Sequence, residues 1–161
     1  MTNEELAMKK LFESAAVGNL SLKNHFIRSA TFEYAYDNDK ETFADRLLPM
    51  YENLAANGVA AIITGMVGID ENSRAASVMV KPYGPNFVPE LKKLSDRVHN
   101  FGTKLIMQIN HCGQKAGQID GTGIALGPSD NKDSNGNPVK GMSLGEIKAV
   151  IANFAATLIR N

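Results

Sequence analysis

The chain has 161 residues, about one domain at the usual ~150 residues each, and 43% of them are hydrophobic, which excludes a disordered chain. Lys+Arg 17 against Asp+Glu 17 gives a formal net charge of +0, so there is no basic excess to neutralise phosphates or an anionic bilayer, and nucleic acid and membrane surfaces are excluded as expected partners. Cys112 is the only cysteine, which excludes a disulfide-stapled secreted scaffold and fits a reducing cytosol. The acidic start Asn3-Glu4-Glu5 is not followed by the apolar stretch of a signal peptide. Apolar runs such as residues 59–63 are far shorter than the roughly 20 residues of a membrane span, so a cytoplasmic protein is expected.

Residues 11–24 carry Gly18-Asn19 between two apolar-alternating stretches, the composition of a tight β-hairpin whose turn needs positive φ. A β-branched and aromatic run over residues 25–31 predicts a first core strand, and the polar stretch 33–41 a loop. Phe43, Leu47, Met50, Tyr51 and Leu54 fall at helical spacing, with Thr42 as the expected N-cap, Gly58 as the closing glycine, and Pro49 as an interruption. Residues 59–66 are apolar on both parities, as in a strand buried on both faces of a parallel sheet, with its expected end near Gly65. After a Pro-rich connection, Leu91, Leu94, Val98 and Phe101 mark a second helix over residues 88–101, stopped by Gly102. Residues 104–110 repeat the buried-strand pattern. Residues 113–142, rich in Gly, Asn, Asp, Ser and Pro, read as a long functional loop or lid. Ser143 and Glu146 have capping-box spacing ahead of a third helix that runs to the end.

Strand and helix alternate three times, which predicts βα units, a parallel sheet and an α/β fold, either an open sheet or a barrel. Ligands in both architectures collect at the carboxyl ends of the strands. Three groups of residues stand there: Ser29-Ala30-Thr31-Phe32, small residues able to face a flat ligand; Thr64-Gly65-Met66, where Gly65 permits close approach; and Gln108, Asn110 and His111. An amide at the end of an apolar strand needs both a donor and an acceptor partner, which Gln108 finds either in neighbouring backbone or in a ligand with adjacent carbonyl and N–H groups, such as a pyrimidine-like ring edge. His111-Cys112 suggests a metal, but His25 and His99 are the only other histidines, so no ligand set of three or four assembles and no metal is expected. His99 reads as solvated and His25 as structural. The glycines of residues 121–127 lack both the spacing of a dinucleotide fingerprint and a strand leading in, and no Walker-type sequence is present.

Residues 11–13, 17–24 and 27–31 resemble the opening of old-yellow-enzyme-type NADH:flavin oxidoreductases, the FMN-dependent ene-reductases. Residues 57–65 resemble the second strand of that family. Residues 105–114 resemble its third, including Gln108 and the His111-x-Gly113 that follows, and residues 143–147 with Phe154-Ala155 resemble the helix before its fourth. The resemblance implies the first three βα units of an eight-stranded (β/α) barrel, preceded by a β-hairpin plugging its bottom, with FMN at the C-terminal face and NADH or NADPH as reductant. It places Ala30, Thr31 and Phe32 along the isoalloxazine, Met66 at the ring edge, where the family often carries Gly or Ala, and Gln108 on the pyrimidine side.

A barrel of this class takes about 250 residues, and the family's fourth-strand histidines, proton-donating tyrosine, strand-six arginine and phosphate-binding glycines have no counterpart here. The expected activity is therefore that of a parent enzyme: hydride transfer through flavin to an activated alkene or related small-molecule acceptor. The chain is read as its N-terminal, truncated portion, inactive in isolation and naming no catalytic residue of its own. The alternative is a non-catalytic partial barrel that self-associates through open sheet edges as a structural or binding module. An unrelated doubly wound nucleotide-binding domain is a third reading, disfavoured by the missing glycine fingerprint.

Overall fold

The computed structural model describes residues 9–43, 45–117 and 124–159. At its start, β1 (Ala15–Val17) and β2 (Leu20–Leu22) pair antiparallel, with Val17 opposite Leu20 and Gly18 at φ 57° between them. Leu22 packs under Ala60 and Ala61. Lys23 donates from Nζ to the Phe101 carbonyl at 2.7 Å and to Thr103 Oγ1 at 3.1 Å, while Asn24 Nδ2 donates to the Gly58 carbonyl at 2.7 Å.

The central sheet is parallel, in the order β3 (Ile27–Arg28), β6 (Ala61–Gly68), β7 (Lys104–Asn110). Between β3 and β6 the chain forms the short antiparallel pair β4 (Tyr36–Asp37) and β5 (Thr42–Phe43), then helix α1 (Leu47–Ala56); α2 (Phe87–His99) connects β6 to β7. Both helices cover one face of the sheet, where Tyr51, Ile62, Leu94 and Val98 are fully or almost fully buried beside Leu47 and Leu48. Each such side chain contributes about 1.5–3 kcal/mol relative to an exposed one.

Several local expectations change. Thr42 does not cap α1: it lies in β5, and the helix starts at Leu47 behind Arg46, which makes no side-chain cap bond. Pro49 sets that start. It has no N–H to bond four residues back and its ring crowds the preceding turn, so it is tolerated only in the first turn. At the other end Gly58, at φ 96°, closes the helix as expected: its N–H reaches the Ala55 carbonyl at 3.1 Å and that of Val59 reaches Leu54 at 3.3 Å, a Schellman pair.

Strand β3 pairs over two residues only, because the chain turns away after Arg28. Strand β6 does not end near Gly65 but continues to Gly68. Strand β7 has the expected bounds without burial on both faces: Ile106 is 37% exposed, since β7 has one neighbouring strand among the described residues and no element over its second face.

Residues 113–142 are not a featureless loop. They contain a 3-10 turn (Gly113–Lys115) and a small sheet in the order β8 (Leu126–Gly127), β10 (Pro138–Gly141), β9 (Asn131–Lys132). Of the glycine-rich stretch 121–127, residues 121–123 lie outside the described residues. Helix α3 (Leu144–Ile159) begins with the expected reciprocal cap: the Ser143 N–H reaches Glu146 Oε2 at 2.8 Å, and the Glu146 N–H reaches Ser143 Oγ at 3.3 Å. Leu144, Ile151, Leu158 and Ile159 on α3 are exposed. No described helix is long and apolar enough to cross a membrane.

Candidate functional site

Because β3, β6 and β7 run parallel, their carboxyl ends share one rim, and the polar residues picked out in the sequence meet there. On β6 an irregularity decides which side chains face together. Ile63 pairs with Ile106 and Met66 with Gln108, so three steps on β6 match two on β7. The extra residue is a bulge at Thr64-Gly65, and it returns Met66 to the face carrying Gln108 and Asn110. Asn110 accordingly donates from Nδ2 to Met66 Sδ at 3.1 Å.

Thr64 closes the ladder across the bulge. Its hydroxyl accepts the Gln108 N–H at 3.0 Å and donates to the Gly65 carbonyl at 2.8 Å. The backbone of Gln108 is thereby fixed, while its side-chain amide has no partner among the described residues. Of the two readings of this amide, satisfaction by neighbouring backbone is not what the structure shows.

On the β3 side, Thr31 lies against β6: a Cβ on Gly65 would meet the Thr31 carbonyl at 2.6 Å and would also overlap the Glu33 carboxylate. Gly65 thus permits close approach, but of the chain's own segment 31–33. Arg28 Nη1 donates to the Ser29 carbonyl at 2.7 Å and to Thr31 Oγ1, and the Thr31 hydroxyl donates to the Ser29 carbonyl at 3.3 Å. The Phe32 ring leaves Ala30 and Thr31 and stacks on Tyr34, with centroids 4.3 Å apart. Tyr34 has φ 54°, unusual for a residue with a side chain, and Arg46 Nη2 braces it by donating to the carbonyls of Glu33 and Tyr34, each at 2.7 Å.

Beneath this rim lies a polar network that the sequence reading missed. Glu33 Oε1 accepts from Arg28 Nη2 at 3.2 Å and from the Tyr51 hydroxyl at 2.9 Å, and the Tyr51 oxygen accepts the Gly65 N–H at 3.3 Å. The ion pair is largely buried, with side-chain exposures of 21% for Arg28 and 10% for Glu33. Burial, reinforced by the Glu33 carboxylate, pushes the Tyr51 phenol well up, so it stays a neutral O–H donor. The one signal in the sequence was an arginine five residues before a glutamate, amid otherwise small or aromatic residues.

His111 and Cys112 follow Asn110. The Gly113 N–H donates to His111 Nδ1 at 3.0 Å, which places the ring proton on Nε2, a buried donor without a partner among the described residues. Asn110 Nδ2 also reaches Cys112 Sγ at 3.4 Å, and burial raises the thiol pKa, so Cys112 is not an activated nucleophile. His99 contacts Ser95 on the exposed side of α2, and the His25 N–H donates to the Leu11 carbonyl near the sheet's amino end; neither touches the rim.

The cavity between sheet and helices, lined by Tyr34, Phe43, Tyr51 and Thr64 among others, holds about 20 Å³. That is room for one water and far too little for an aromatic cofactor. The usable surface is the open face of the rim, where Gln108 and the backbone of residues 29–32 supply polar groups without a strong charge.

Comparison with known proteins identifies relatives over most of the chain. The chain is 30% identical over 152 residues to an NADPH dehydrogenase of Clostridium acetobutylicum, covering 94% of this chain and 44% of that protein. It is 28% identical over 153 residues to one of Listeria monocytogenes, covering 95% and 45%. It thus spans a little under half the length of these relatives. Among solved structures, it superposes on an Old Yellow Enzyme from a Pichia species with TM-score 0.82 at 23% identity, covering 94% of this chain and 42% of that one. Morphinone reductase in complex with tetrahydroNAD gives TM-score 0.77 at 20% identity, covering 93% and 45%. Likeness at these identities establishes an α/β fold. The sequence profile of the NADH:flavin oxidoreductase / NADH oxidase family matches residues 10–160, nearly everything described above, and the chain belongs to that family.

Proposed function

We propose that this chain forms the first three βα units of an eight-stranded (β/α) barrel and supplies one side of an FMN site for an NAD(P)H-dependent reductase of activated alkenes or related small acceptors. The family's cofactor is FMN, with a reduced nicotinamide nucleotide as reductant. When bound, FMN supplies hydride acceptance and donation; this chain's residues bind and orient it. Ala30, Thr31 and Phe32 lie along the ring, with backbone contact favoured because the Thr31 hydroxyl is already engaged by Arg28 and Ser29. Met66 borders the ring edge, and the Gln108 amide pairs with the pyrimidine side, where it steadies negative charge.

The antiparallel pair β1–β2 closes the barrel bottom against Ala60 and Ala61, and the stretch after β7, described over residues 113–117 and 124–142, serves as a functional loop. Alone, the chain offers no phosphate clamp among its described residues and is inactive in hydride transfer. The protein works in the cytoplasm. The observation that carries the reading is the unpartnered Gln108 amide, held beside Met66 at the carboxyl ends of three parallel strands. A visible-band and fluorescence titration with FMN tests it: the wild-type chain binds, Gln108→Ala weakens binding by about tenfold, and equal binding by the two would reject the assignment.

A second reading, a non-catalytic module that self-associates, is favoured by one observation, the outer edge of β7, unpaired among the described residues, with Ile106 exposed beside it. Sedimentation over a concentration series, with and without FMN, separates the two: a dimer that binds no flavin supports the second.

A further inference from the structure

The Arg28–Glu33–Tyr51 network joins residues that the flavin-site reading uses but does not connect. Glu33 lies at its centre. Its carboxylate accepts from β3 through Arg28 and from α1 through Tyr51, and it occupies the space a Cβ on Gly65 would take. The Tyr51 oxygen accepts the Gly65 N–H, and Thr64, next in the chain, holds the Gln108 N–H. A continuous line of contacts therefore runs from Thr31, through Arg28, Glu33 and Tyr51, to the β6 bulge and on to β7. A largely buried ion pair contributes little net stability, because desolvation offsets the attraction. In some proteins such a pair fixes a unique register instead, and the register it would fix here is the seating of residues 31–33 against Gly65.

We infer that Glu33 is a positioning residue for the flavin site: tied to Arg28 and Tyr51 and seated against Gly65, it fixes how residues 30–32 and residues 64–66 seat against each other to form the rim that would receive the flavin. The inference rests on the flavin-site reading. It assigns to Glu33 no contact with the cofactor. The side chain sits below the rim, and its loss changes binding through the segment above it.

Two measurements on the full chain test this separately from the site. Amide hydrogen exchange without FMN reports on the network, and FMN titration with the visible spectrum of the bound flavin reports on the site. Glu33→Gln keeps the shape but removes the carboxylate charge of the ion pair with Arg28; Tyr51→Phe removes only the relay hydroxyl. In both, exchange at Gly65 and Gln108 quickens while that of Leu94 and Val98 holds. FMN dissociation constants rise about tenfold, the equivalent of one lost hydrogen bond to a charged group, and the bound flavin's band shape moves toward that of free FMN. Should Glu33→Gln fail to fold, Tyr51→Phe carries the test. Unchanged exchange in a folded variant overturns the inference, as does faster exchange with unchanged FMN affinity and spectrum. If the wild-type chain takes up no FMN, the site reading fails first, and the positioning role falls with it before any variant is made.

Discussion

Replacing Thr64 by Val is the sharpest test of how the rim is held. The change is nearly isosteric, so the effect is confined to the hydroxyl, which lies in a side chain 7% exposed. Two partners lose their bonds at once: the Gln108 N–H, accepted at 3.0 Å, and the Gly65 carbonyl, donated to at 2.8 Å. Each buried group left unsatisfied costs about 1–3 kcal/mol, and the bulge gives neither a strand partner to turn to, so a loss of about 3 kcal/mol is expected. With a urea m-value of about 2 kcal/mol/M, the unfolding midpoint falls by about 1.5 M. Thr64→Ser keeps the hydroxyl and loses one methyl, a cost of about 1 kcal/mol. Urea titrations of the three proteins by circular dichroism measure both shifts. A Val variant within about 0.5 kcal/mol of wild type, or a Ser variant as damaged as the Val one, would refute the reasoning that this hydroxyl stands in for a missing ladder bond.

Two further outcomes can be measured on the same protein. The Lys140 ammonium, first, and the Ser143 N–H and hydroxyl hold the Glu146 carboxyl down to about 2 from its ordinary 4.5. A depressed folded value means that its stabilisation is complete above pH 4.5 and is lost as pH falls toward 2, so amide resonances of the first turn of α3 should fray through that window, and in Glu146→Gln should not titrate there. At Gly58, where nothing lies within 4 Å of an added Cβ but φ is +96°, Gly58→Ala should cost about 1 kcal/mol, or roughly 3 °C in Tm, through backbone strain alone. Gly145→Ala, near the start of a helix with Ser143 Oγ 3.8 Å away, should cost nothing; equal losses at both positions would point to packing rather than strain.

What could be read in the sequence was whatever depends on short-range chemistry. The bounds of β7, the Gly58 closure and the Ser143–Glu146 cap each follow from residues within a few positions of one another, and they stand as expected. Contacts between distant segments were not legible. Strand alternation loses phase at Thr64 because the bulge inserts a residue, so no period-two pattern could place Met66 beside Gln108 or carry β6 past Gly65. Glu33 looked like the first residue of a polar loop, since only the fold brings Tyr51 and Gly65 to it. Thr42 carried a good capping side chain, yet Pro49 determined where the helix begins. Of the candidate site, the residue types at the strand ends were evident; the network that spaces them was not.

The lashing of Lys23 to Phe101 and Thr103 constrains the order of folding events. Those bonds span 78 and 80 residues, and their acceptors lie just before β7, after α2 has turned back. Closing so long a segment is entropically expensive until both intervening βα units are in place. The segment around Lys23, early in this sequence, is therefore among the last to be fastened. A stopped-flow refolding experiment should find Lys23→Met accelerating unfolding while leaving the folding limb almost unchanged.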